Sequence, residues 1–145
     1  MRKPKLIISS CLLGLPARYN GEKVVHPLIG ALEEKYELIA VCPETLGGLD
    51  IPREPAELRG TRVLTKSGQD VTQEYEKGAG IALDIAKGLS IKKAVFKERS
   101  PSCGYGLIHD GTFTDGMIEG HGVCTKLFLE NGIEVFTEND IKKLL

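Results

Sequence analysis

"AVFKERSPSCGYG", residues 94–106, begins as an apolar run and breaks abruptly into charge, hydroxyls, a cysteine and two glycines. A short apolar run bounded in this way reads as a buried strand, and the break marks its carboxyl end. The same succession occurs twice upstream. "KLIIS", Lys5 to Ser9, runs into Cys11, and "ELIAV", Glu37 to Val41, runs directly into Cys42. Between and after these runs, apolar residues recur at helical spacing: near His26 to Lys35 through Leu28, Ala31 and Leu32, from Asp70 to about Lys87, and from Gly122 to Glu130. Glu134 to Phe136 reads as a fourth strand, with Thr137 capping a last helix. Strands that alternate with helical segments imply crossover connections between parallel strands. The expected fold is therefore α/β: a three-layer α/β/α Rossmann-like domain with a mainly parallel sheet of about four to five strands.

The segments between these elements are less regular. Residues 42–60 read as one long loop in which Pro52 and Pro55 fix φ and restrict the residues before them, followed by a brief extended piece, Thr61 to Thr65. Asp70 reads as an N-cap with Gln73 in the capping-box position, and Gly78, Gly80 and Gly88 weaken the helix that follows. The third strand spans Lys93 to Lys97, and a glycine-rich loop runs from there to about His121. With 145 residues and no internal repeat, linker or low-complexity tract, residues 1–145 are expected to form a single domain.

Composition excludes several classes. With 19 Lys+Arg against 20 Asp+Glu, the net charge of -1 points to neither nucleic acid nor an acidic membrane surface. No apolar run approaches the roughly 20 residues of a membrane span. "MRKPKLIISS" carries too short an apolar stretch for a signal peptide, so the cytoplasm is the expected compartment. Four cysteines in such a chain suggest metal ligation, catalysis or burial rather than a disulfide framework.

Three of those cysteines fall at equivalent places, just past strands one, two and three. In an open parallel sheet the carboxyl ends share one edge, where ligands bind, so Cys11, Cys42 and Cys103 are expected to converge. Three thiolates together repel one another unless a cation neutralises them, and soft sulfur selects zinc, copper(I) or an iron–sulfur centre. The spacing lacks the paired C-x2-C of structural zinc sites and names no metal. Ligation and three small hydrophobes at strand ends stand as equal readings. Cys124, in "GVCTKLFL", reads as core packing. No G-x-G-x-x-G or G-x-x-x-x-G-K-[ST] motif follows a strand. His26, His109 and His121 lack metal-ligand spacing; of the three His121 is the nearest candidate to the site, and an exposed loop histidine is the safer reading of it.

The motifs "SSCLLGLPARYNG", "VCPETLGGLDIPREPAE", "GQDVT", "KERSPSCG" and "DGTFTDGMIEGHGV" resemble, in order and across nearly the whole chain, a bacterial family represented by thiouracil desulfurase. The resemblance implies a [4Fe-4S] cluster held by Cys11, Cys42 and Cys103, with one iron left open to take the sulfur of a small thiolated base such as 2-thiouracil. It implies sulfide release without net redox change, with Glu44 of the C-P-E motif as proton shuttle. A serine of "SPSC" also contributes in the family, and both Ser100 and Ser102 qualify. Ala17 stands where some relatives carry a further cysteine, which excludes a fourth cluster thiolate from that loop. Arg18 and Arg53 are candidate substrate-binding cations, and the Tyr19 ring suits equally stacking on a flat base or walling the core. Lys97, Glu98 and Arg99 read as a salt-bridged rim that in the family lines the site.

Two other readings compete. In one, the thiols form a non-catalytic carrier or sensor of zinc or an iron–sulfur centre, with Cys124 as fourth ligand. In the other, Cys11 and Cys42 form a redox-active thiol pair that needs no metal.

Overall fold

The computed structural model describes residues 3–13, 27–50, 52–114 and 116–145. At its centre is β1 (Lys5–Ser9), whose Leu6, Ile7 and Ile8 are fully buried. β1 pairs in parallel with β2 (Glu37–Val41) on one side and β5 (Lys93–Phe96) on the other, and β5 pairs in parallel with β8 (Glu134–Thr137). The four-stranded sheet thus runs β2-β1-β5-β8. The expected α/β architecture is the observed one.

Because side chains alternate across a strand, each central strand feeds two cores. Ile7, Ala94 and Phe96 face α3 (Thr72–Gly88) and α4 (Val123–Glu130), packing with Ala79, Ala82, Leu83 and Phe128. Leu6, Ile8 and Val95 face the opposite side and meet α1 (Ile29–Lys35) through Leu32, and the carboxyl-terminal 3-10 segment Glu138–Leu144 through Ile141 and Leu144. Among the described residues no helix is long and apolar enough to cross a membrane.

The differences from the sequence reading lie at the carboxyl edge of the sheet. The 42–60 region is not one loop. It holds a short helix, α2 (Pro43–Leu46), which begins with proline at a position where the missing N–H costs nothing, and a strand, β3 (Ala56–Arg59). β3 forms an antiparallel hairpin with β4 (Arg62–Thr65), turning through Gly60 at φ +65°. The glycine-rich stretch before His121 holds a second hairpin, β6 (Leu107–His109) with β7 (Met117–Glu119). Leu58, Val63, Val71, Tyr75 and Ile108 form a third apolar cluster that joins both hairpins to the start of α3. The N-cap of this helix is Val71 rather than the expected Asp70, because the helix starts at Thr72; Asp70 Oδ1 accepts the Thr72 N–H at 2.9 Å from one residue before the cap. The last segment is 3-10 rather than α-helix, with Thr137 Oγ1 accepting the Asn139 N–H.

Gly78, read from sequence as a weak point of α3, is a contact surface. A Cβ there would overlap the carbonyl oxygen of Pro43, and one at Gly47 would overlap that of Glu74. Two glycines therefore let the backbones of α2 and α3 touch. Gly80 faces open space. Gly78→Ala should lower unfolding stability by about 1–3 kcal/mol through overpacking. Gly80→Ala should be neutral or add up to about 1 kcal/mol from helix propensity. Urea denaturation of the two variants measures both.

Candidate active site

The carboxyl ends of β1, β2 and β5 open onto a cavity of 460 Å³, roofed by the β3–β4 hairpin and the loop between β6 and β7. Cys11, Cys42 and Cys103 all line it. Each arrives by a different local device. Cys11 sits in the 3-10 turn Ser10–Leu12 that ends β1. Cys42 precedes Pro43 at the head of α2, and Thr45 Oγ1 lies 3.2 Å from its sulfur. Cys103 lies in a turn held by Ser100, whose Oγ accepts the N–H groups of both Ser102 and Cys103 at 3.1 Å. The carbonyls of Pro101 and Ser102 in turn accept the first N–H groups of α4. The Ser9 hydroxyl favours the charged form of the Cys103 thiol, and its Oγ accepts the Lys97 N–H at 3.0 Å.

Burial first, and the facing Cys42 second, push the Cys11 thiol up to about 11, with Lys97 pulling the other way. Burial and then Cys124 push Cys103 well above the ordinary thiol range. Cys11 and Cys103 thus resist carrying negative charge on their own account, and a cation beside them would offset that cost. Among the described residues no three His, Cys, Asp or Glu side chains converge tightly enough to hold a single metal ion. An all-sulfur donor set spread around a cavity wall suits a thiophilic object wider than one ion, as an iron–sulfur cluster is.

Beside Cys42, Glu44 reaches the same cavity. Its Oε1 accepts a hydrogen bond from Tyr75 Oη, and its Oε2 pairs with Arg53 Nη2 at 3.1 Å. Arg53 Nη1 also donates to the carbonyl of Asp50 at 3.0 Å. Burial, then the adjacent Glu44 charge, push the Tyr75 phenol far above its usual value, so it stays a donor. The carboxylate is clamped from behind while its face remains on the cavity.

Of the residues singled out in the sequence, Ser100 lines the cavity, whereas Ser102 is fully buried off its wall. The Ser102 hydroxyl has no hydrogen-bond partner among the described residues. Arg53 stands behind Glu44 rather than on the wall. Lys97, Glu98 and Arg99 do line the cavity, with Lys97 paired to Glu138 at 2.8 Å and Arg99 to Glu98 at 4.0 Å. Arg18, Tyr19 and His26 lie outside the described residues. Cys124 is fully buried in the core and off the cavity wall. Among the described residues, the histidine that lines the cavity is His109. His121 instead accepts the Gly106 N–H and rests against Tyr105, so the expectation for it is corrected.

Glu57, Tyr75 and Phe113 escaped the sequence reading. The Gly60-Thr61 turn between two short β-capable runs was the available signal for Glu57, since it predicts the hairpin that folds this residue inward.

The family model described as 2-thiouracil desulfurase matches residues 6–140. An uncharacterized Bacillus subtilis (strain 168) protein, YbbK, is 39% identical over 150 residues, covering 97% of this chain and 99% of its own length. Among solved structures, a [4Fe-4S]-dependent thiouracil desulfidase, TudS, is 44% identical. It superposes with a TM-score of 0.92, over 98% of this chain and 95% of its own.

The two serines should separate in stability. Ser100→Ala strips the acceptor from two backbone N–H groups and should cost about 1–3 kcal/mol. Ser102→Ala removes a buried hydroxyl that bonds nothing and should be neutral or slightly stabilising. Chemical denaturation of both variants gives the comparison.

Proposed function

The chain belongs to the 2-thiouracil desulfurase family, and on that premise we propose that it exchanges the sulfur of a thiolated nucleobase such as 2-thiouracil for oxygen. The observation that carries this reading is the delivery of three thiols, by three adjacent parallel strands, onto one cavity beside a clamped carboxylate. The overall change is C=S plus water to C=O plus hydrogen sulfide, in which no atom changes oxidation state. Cys11, Cys42 and Cys103 would hold a [4Fe-4S] cluster with one iron free of protein ligands, and that iron supplies a thiophilic site for the departing sulfur.

The chain's own groups supply the rest. Glu44 takes the proton from the water that attacks the thiocarbonyl carbon on its carboxylate and returns it as sulfide leaves. Tyr75 and Arg53 fix the carboxylate so that it need not reorganise during the step. Ser100 has both lone pairs engaged by backbone N–H groups, so its own O–H is left to donate into the cavity that it lines. This favours Ser100 over Ser102 as the hydroxyl that meets the substrate. Cys124, off the wall, is poorly placed to close the site as a fourth ligand, which weighs against a four-thiolate carrier.

The experiment is anaerobic reconstitution followed by iron, zinc and acid-labile sulfide analysis. Wild type and Cys124→Ala should carry iron and sulfide in the proportion of the [4Fe-4S] formula, and Cys11→Ala, Cys42→Ala and Cys103→Ala should lose it. Zinc alone, or no metal in wild type, overturns the cluster. In sulfide-release assays with 2-thiouracil, Glu44→Gln should retain the cluster while kcat falls about 10²–10⁴-fold.

A further inference from the structure

Phe113 is a phenylalanine in a glycine's conformation. Its φ is +59°, in the left-handed region that side chains avoid, and it occupies a loop already supplied with glycine at Gly111. Strain of this kind persists only where the surroundings over-determine it. Here they do. Glu57 Oε1 accepts the N–H groups of Gly111 at 3.0 Å and of Phe113 at 3.2 Å. Asp110 Oδ1 accepts both the N–H and the hydroxyl of Thr112, at 2.9 and 2.6 Å. Gly111 lies so close to β3 that a Cβ would sit 2.8 Å from the Leu58 carbonyl oxygen.

The ring so held has no place in the core. Phe96, Phe128 and Phe136 belong to the two clusters that flank the sheet, whereas Phe113 joins none of the apolar clusters of the described residues. It is half-buried and lines the same cavity as the three thiols and Glu44. Glu57, only 9% exposed, spends a buried carboxylate on two loop N–H groups. A strained backbone and a buried acid are maintained to hold one aromatic face on the cavity.

We propose that Phe113 is the stacking platform for the planar ring of the substrate, and that Glu57 is the positioning residue that holds it there. This rests on the desulfurase reading and narrows it: the site takes flat cyclic thiocarbonyls in preference to acyclic ones such as thiourea, which present the same C=S without a ring to stack.

The test uses anaerobically reconstituted protein, with 2-thiouracil and thiourea compared in turnover and in equilibrium dialysis. Phe113→Gly should keep its iron and melt at or above the wild-type temperature, because glycine accepts the backbone angle. Its KM and Kd for 2-thiouracil should rise roughly tenfold, with kcat little changed and thiourea unaffected. Phe113→Tyr should behave as wild type. Glu57→Ala should reproduce the raised KM, and Glu57→Gln should restore it, since an amide oxygen still accepts both N–H groups. Unchanged 2-thiouracil affinity in Phe113→Gly, or an equal loss for thiourea, overturns the stacking role. If wild type releases no sulfide yet binds 2-thiouracil more tightly than Phe113→Gly does, the desulfurase reading falls and the platform stands.

Discussion

Everything at the site depends on the parallel hydrogen-bond ladders of β1 with β2 and with β5. A parallel ladder brings carboxyl ends to the same edge, so the residues that follow three different strands meet without any direct bond between them. The register is held by apolar residues on both faces. Leu6, Ile7 and Ile8 are all fully buried, and a slip of one residue would exchange the two cores that they serve. The sheet brings the three segments to one edge, and local turns and core packing then set each thiol.

The cavity then manages charge by anchoring each acid from outside. Glu44 is held by Tyr75 and Arg53, Glu57 by two loop N–H groups, and Glu98 by Asn139 and Arg99. The Arg53 and Glu44 side chains are only 8% and 18% exposed, and such a pair is kept for where it points its charge more than for stability. The anchored carboxylates share the cavity wall with the three sulfur atoms.

The scaffold was legible because its signals are local. The apolar runs at Lys5, Glu37 and Lys93 and the helical periodicity after Asp70 returned the sheet and α3 with boundaries shifted by a residue or two. The cysteine trio was legible because strand ends are. The roof was not. β6 and β7 have three residues each and α2 has four, too short for periodicity to show, and their stability comes from the third apolar cluster. Glu57 reads as an ordinary surface acid until β3 folds it inward, and no sequence pattern reports the φ of Phe113. His109 lies within the second hairpin and His121 just past it, so choosing between them needed the hairpin itself.

The three cysteines belong to chain segments that meet only when β1 has both of its neighbours. No partly folded chain, and no fragment that ends before Cys103, can present the trio. Any group that needed all three sulfurs at once would find them together only where β1 has paired on both sides, and Cys103 itself sits in the SPSC turn that also caps α4. The three-sulfur edge is thus a property of the completed sheet, and its assembly reports in one observable that β1 has paired on both sides.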